Sequence, residues 1–137
     1  MGKHKSDPQR CHISEIQSDR LSSAQGCAQR HGCHTVLKGY QTISTAPSGR
    51  AVINSTGNPG MATGGSGDIL AGMMGRFVAT WKTFRAEETR LLDHIAAAVY
   101  LHGLAGDLAA AELGMECMVA TDLVKYLPAA FERVATG

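Results

Sequence analysis

The chain has 137 residues and a mass of 14.4 kDa, one domain's worth and enough to bury a core of its own. Its 13 basic and 12 acidic residues leave a net charge of +1, which excludes the charge excess that marks nucleic-acid or anionic-membrane partners. A content of 44% apolar and 18% charged residues excludes disorder, and no apolar run reaches the roughly 18 residues of a membrane span.

Residues 1–12 are polar and without period, and they lack the apolar stretch of a secretory signal. They are expected to be a structureless or non-native leader, with residues 13–137 as the folded unit. A helix is expected from Ile13, opened by a Ser14–Gln17 capping box and closed near Gly32. Its apolar stripe is Ile13, Ile16, Leu21, Ala24 and Ala28. Three short strands follow, His34–Lys38, Gln41–Thr45 and Ala51–Asn54, with Pro47 in the turn Ala46–Gly49. Their close spacing predicts hairpin neighbours rather than crossovers.

The stretch from Ser55 to Asp68 has the composition of a loop, and seven of the 16 glycines lie between Gly57 and Gly75. Ile69, Leu70, Met73, Met74, Phe77, Val78 and Trp81 then recur at helical spacing, so this loop feeds a helix starting at Ser66 or Gly67. A second long helix is expected over Ala86–Leu113, with Glu87 and Glu88 in its first turn and Gly114 as its stop. Gly103 and Gly106 inside it suggest close helix packing. Thr121 is the expected N-cap of a last helix that Pro128 breaks, with a further short helix over Ala129–Val134. The four cysteines show no zinc spacing and read as free thiols of a reducing cytoplasm. The six histidines form no HxxxH pair, so no protein-ligated metal is expected.

A glycine loop entering a helix is suited to anions, because unpaired N–H groups and the helix dipole converge there. The loop is neither a Walker A loop nor a dinucleotide fingerprint. Asp68 is unexpected in such a place, since a carboxylate repels phosphate. It either caps its own helix or serves as a general base for a hydroxyl attacking phosphorus. Lys38, ending a strand before Gly39, is either a solvated strand end or a phosphate contact. Asn58 and Thr63 fit plain turn chemistry or orient the loop. His102 reads as a satisfied core histidine with Asp107 close enough to cap or pair with it.

The run NSTGNPGMATGGSGDILAG, from Asn54 to Gly72, closely resembles the signature of the NAD(P)H-hydrate dehydratases, the carbohydrate-kinase-like domain of the YjeF family. Val36 to Thr42, Ala98 to Asp107 and Ala120 to Val124 resemble further segments of that domain, so the resemblance runs from about Ile13 to Val134. It implies a three-layer α/β, ribokinase-like fold, of which this chain is the carboxyl-terminal part. It implies ADP- or ATP-dependent dehydration of hydrated NADH and NADPH, by phosphorylation of the hydrate hydroxyl and loss of phosphate. Asp68 would contact the hydrate and act as the base. Lys38, Gly39, Tyr40, Gln41, Thr42 and Asn58 would line the nucleotide, and Gly64, Gly65, Ser66 and Gly67 would meet its phosphates, which would carry Mg²⁺. The resembled domain has further segments before its first matching helix, where a His-Pro-Gly-Glu motif is replaced here by Asp7 to Arg10. Apolar helices and an open sheet edge lacking those segments imply self-association and little turnover by the chain alone. The alternatives are another ribokinase-like small-molecule kinase, or a non-catalytic nucleotide-binding fragment.

Overall fold

The computed structural model describes residues 13–83 and 88–136, with backbone alone at 82, 83 and 88–90. The expected leader and the expectations on Ala86 and Glu87 lie outside these residues. In chain order the elements are α1 (Ile13–Ser18), α2 (Arg20–His31), β1 (Thr35–Leu37), β2 (Ile43–Thr45), β3 (Ala51–Ile53), α3 (Ser66–Thr83), α4 (Glu88–Leu113) and α5 (Ala120–Thr136). A single 3₁₀ turn, Pro59–Met61, lies in the glycine loop.

The three strands form an antiparallel sheet in the order β1-β2-β3, with Val36 opposite Ser44 and Ser44 opposite Val52. The hairpin expectation therefore holds. The turn Ala46–Gly49 closes through the Gly49 N–H to Ala46 carbonyl bond at 2.9 Å, with Gly49 in the left-handed region. All three residues of β2 are buried because α2 and α4 both pack on this middle strand. Ser44 and Thr45 are buried polar residues, and the Thr45 hydroxyl donates to the Ala24 carbonyl at 3.1 Å. That bond offsets the burial of the hydroxyl in a strand position where an apolar residue would be ordinary.

Helices α3, α4 and α5 pack together beside this layer. Leu101, Ala105 and Ala130 form one core, ringed by Met73, Phe77, Leu104 and Leu127. Ala109, Met118 and Leu123 form another, reached by Met61 and Ile69. No described helix is long and apolar enough to cross a membrane. The described cysteines, Cys27, Cys33 and Cys117, are free and exposed.

Local expectations fail at four places. The first helix is interrupted at Asp19, whose side chain accepts the Ser22 N–H and caps α2, so Ser14 is not the cap that matters. Thr121 lies inside α5. The Asp122 carboxylate reaches back to the Val119 N–H at 3.0 Å and also holds Lys125 at 2.8 Å. The Lys125 hydrogen bond, then that from the Val119 N–H, keeps this carboxyl below its usual range. Pro128 does not end α5, which runs on to Thr136. The carbonyl that proline leaves without its helical donor belongs to Val124, an exposed position open to solvent, and Ala130 beyond it is fully buried in the core. Finally, Gly103 and Gly106 do not admit another helix. They admit the glycine loop.

Candidate functional site

The loops β1–β2 and β3–α3 enclose a cavity of about 600 Å³, with Leu70, Val99 and His102 behind them. Cavities of this size suit small organic ligands. The first wall is Lys38–Thr42. Gly39 has φ +144° and Gln41 has φ +50°, a left-handed conformation unusual for a residue with a side chain. The turn is held from both sides. The Thr42 hydroxyl donates to the Gly39 carbonyl at 3.0 Å, and the Gly39 N–H donates back to it at 3.3 Å. From α2, the Arg20 guanidinium donates to the carbonyls of Tyr40, Leu37 and Lys38 at 3.0, 3.2 and 3.3 Å. A Cβ on residue 39 would lie 2.8 Å from Arg20 Nη1, the movable end of a long side chain, so it is the φ of +144° more than space that calls for glycine here. Sequence reasoning missed Arg20, because carbonyl partners leave no mark in the sequence.

The second wall runs from Asn54 to Met61. The Asn54 amide donates to the Thr56 carbonyl at 2.8 Å, and the Thr56 hydroxyl donates to the Tyr100 carbonyl of α4, also at 2.8 Å. Asp107 of α4 accepts from the Gly57 N–H at 2.9 Å and from the Asn58 amide at 3.0 Å. Asn58 in turn caps the 3₁₀ turn, its Oδ1 accepting the Gly60 N–H at 3.0 Å. Asp107 is thus committed to this loop rather than to His102, contrary to the pairing expected.

Gly64, Gly65, Ser66, Gly67 and Asp68 do not line the cavity; they form the adjoining turn into α3. Ser66 joins the two. It is fully buried, its hydroxyl accepts from Lys38 Nζ at 3.1 Å, and its carbonyl accepts from His102 Nε2 at 2.9 Å. A carbonyl only accepts, so the His102 proton sits on Nε2. Burial, then the nearby Lys38 charge, pushes the His102 imidazole below its ordinary value against the opposing pull of the Ser66 bond, so the ring is neutral at pH 7. In the first turn of α3 the N–H groups of Ser66, Asp68 and Ile69 bond back to Thr63 and Gly65, while that of Gly67 has no acceptor among the described residues. Asp68 is exposed, and its carboxylate takes no hydrogen bond from the described residues. The helix-cap alternative therefore has no bond to carry it. No cluster of His, Cys, Asp or Glu suited to a metal ion occurs among the described residues.

A model of the carbohydrate-kinase-like family described as NAD(P)H-hydrate dehydratase matches residues 5–129. The bifunctional NAD(P)H-hydrate repair enzyme of Thermofilum pendens is 38% identical over 118 residues, covering 86% of this chain and 21% of its own length. The Bacillus subtilis ADP/ATP-dependent NAD(P)H-hydrate dehydratase, co-crystallised with ATP and Mg²⁺ and soaked with CoA, superposes with a TM-score of 0.77 at 33% identity, over 88% of this chain and 42% of that one. A ribokinase-like superfamily protein of Enterococcus faecalis superposes with a TM-score of 0.68 at 35% identity, over 86% of this chain and 38% of that one. The chain therefore spans about a fifth of the repair enzyme's length and about two-fifths of the solved relatives.

Proposed function

Because the chain belongs to the NAD(P)H-hydrate dehydratase family, we propose that its cavity binds ADP or ATP and that Asp68 is the base in dehydrating hydrated NADH and NADPH. Lys38, Gly39, Tyr40, Gln41, Thr42 and Asn58 line the nucleotide, and Gly64, Gly65, Ser66 and Gly67 face its phosphates. The residues fit such a ligand: a polar rim with one lysine, an apolar floor of Met61, Leu70 and Val99, and a free amide at Gly67. When bound, the nucleotide supplies the phosphoryl group that turns the hydrate hydroxyl into a leaving group, and its phosphates carry the Mg²⁺. The chain's part is to orient that group with Lys38 and the Gly67 amide, and to take the hydroxyl proton on a carboxylate oxygen of Asp68.

The observation that carries this reading is the pair of hydrogen bonds to Ser66. Lys38 and His102, both on the cavity wall, fix the first residue of the helix that bears Asp68 two positions later. These two bonds tie the Lys38 side chain to the turn that carries Asp68, which supports the reading. A second reading, a nucleotide-binding module without turnover by itself, is favoured by the exposure of Asp68, which faces no cavity wall of this chain. Residues 13–137 are the working unit under either reading. Exposed Ile53, Tyr100 and Val134, which flank an apolar groove, support self-association, and the exposed free thiols suit the cytoplasm.

Calorimetric titration of the folded chain with ADP and ATP, with Mg²⁺ present, tests the proposal. Saturable binding weakened by Lys38→Gln is expected; no saturable binding by folded chain overturns it. Asp68→Asn is expected to keep or raise nucleotide affinity. Introduced into a complete domain, it should lower turnover of hydrated NADH by about 10²–10⁴-fold. Near-normal turnover would remove Asp68 from the chemistry.

A further inference from the structure

Asp107 poses a problem of sign. A carboxylate lies against the loop that the proposal above gives to an anionic nucleotide, and its hydrogen-bond partners are a backbone N–H and an amide rather than a cation, while it does not itself line the cavity. Both of its oxygens are spent on the loop, Oδ2 on the Gly57 N–H at 2.9 Å and Oδ1 on the Asn58 amide at 3.0 Å. Gly57 has φ +102°, and Asn58 with its amide so held turns its own Oδ1 onto the Gly60 N–H. One side chain of α4 thus sets the backbone at Gly57 and, through Asn58, the turn that follows.

We propose that Asp107 is a positioning residue for nucleotide binding. It keeps the Gly57–Gly60 backbone in the shape the ligand requires, at the expense of a negative charge near the site. The proposal rests on the nucleotide reading of the cavity. It makes a prediction opposite in sign to simple electrostatics. If Asp107 acted only through its charge, neutralising it would relieve repulsion and tighten ADP binding. If it positions the loop, Asp107→Asn turns an NH₂ toward one of two donors, and affinity falls.

The test is calorimetric titration of the full chain with ADP and Mg²⁺, with amide hydrogen exchange read at Gly57. Asp107→Asn is expected to weaken ADP binding about tenfold, on the order of one charged hydrogen bond, and to speed exchange of the Gly57 amide. Asp107→Glu keeps the charge but displaces both oxygens, so it should weaken binding as well; it decides the matter if Asp107→Asn does not fold. In a complete domain, the KM for nucleotide should rise while kcat stays level, a split that plain loss of stability does not produce. Unchanged or tighter binding in the folded variants overturns the positioning role alone. Failure of the unaltered chain to bind ADP overturns the nucleotide reading first and this inference with it.

Discussion

The two walls of the cavity are fixed by opposite means. Lys38–Thr42 is held by a cation, Arg20, which donates to backbone carbonyls from α2. Asn54–Met61 is held by an anion, Asp107 of α4, which accepts from the Gly57 N–H and the Asn58 amide, and also by space. Gly103 and Gly106 leave a notch in α4 into which Thr56 and Met61 sink. The first wall therefore rests on partly exposed hydrogen bonds that water can replace, and the second on close packing that nothing can replace. Hydrogen bonds tolerate small displacements, whereas a packed backbone does not.

The largest effect is expected where the second wall is packed most tightly. In Gly103→Ala the new methyl would lie 2.2 Å from Thr56 Oγ1 and 2.7 and 2.8 Å from the Thr56 backbone carbon and oxygen. The backbone must move, so thermal or urea unfolding should show a loss at the upper end of about 1–3 kcal/mol. In Gly106→Ala the three atoms nearest the methyl all belong to the Met61 side chain, its sulfur at 2.3 Å. Methionine can swing aside, so the loss should be distinctly smaller. Equal losses would mean that packing against the loop backbone is not what fixes this wall.

Arg20→Ala comes next. It removes the donors to three carbonyls, yet these groups are partly exposed and water takes the vacated positions. The expected loss of stability is about 0.5–1.5 kcal/mol, below that of Gly103→Ala. Nucleotide affinity should fall as well, because the Gln41 conformation is no longer imposed. Arg20→Lys should recover only part, since an ammonium lacks the planar fork. A loss exceeding that of Gly103→Ala would reverse the ranking of the two walls.

The walls also differ in how far they could be read from sequence. The hairpin, the turn at Pro47 and the start of α3 at Ser66 were legible, because glycine, proline and β-branched residues act on their own backbone. Lys38 and Asp68 were singled out through resemblance to the family; the structure sets Lys38 on the cavity wall and leaves Asp68 exposed beside it. Arg20 was not legible, since its partners lie 17 to 20 residues away and are carbonyls that every residue carries. Gly103 and Gly106 announced a close approach, but sequence could not say that the approaching group was a loop. Pro128 was misjudged because propensity is local, whereas burial of Ala130 holds the far end of α5 in line.

His102 joins α4 to the start of α3, and its contribution depends on pH. Its folded-state value lies below the unfolded 6.5. Between the two values the unfolded chain binds more protons, so stability is constant above about pH 6.5 and falls as pH drops through that window. The melting temperature should therefore decline as pH is lowered below about 6.5, and the decline should be shallower in His102→Gln. An identical acid slope in both would show that other groups set it.

The smallest effect on stability is the most informative about the site. Gly67 is exposed in the first turn of α3, its φ is not positive, and a Cβ there would meet nothing within 4 Å. Neither fold nor conformation requires glycine at this position. Judged on the empty chain, Gly67→Ala should be neutral or stabilising by about 0.5–1 kcal/mol, the ordinary gain of alanine in a helix. Its N–H is also the one in that turn without an acceptor among the described residues. If phosphates approach this amide, the methyl stands in their way. Gly67→Ala should then lower affinity for ADP and ATP several-fold while the melting temperature holds or rises. That divergence cannot come from damage to either wall, both of which lie outside the turn. Stability and affinity moving together, or affinity left unchanged, would place the phosphates elsewhere and leave the cavity walls to bind the nucleotide without the helix.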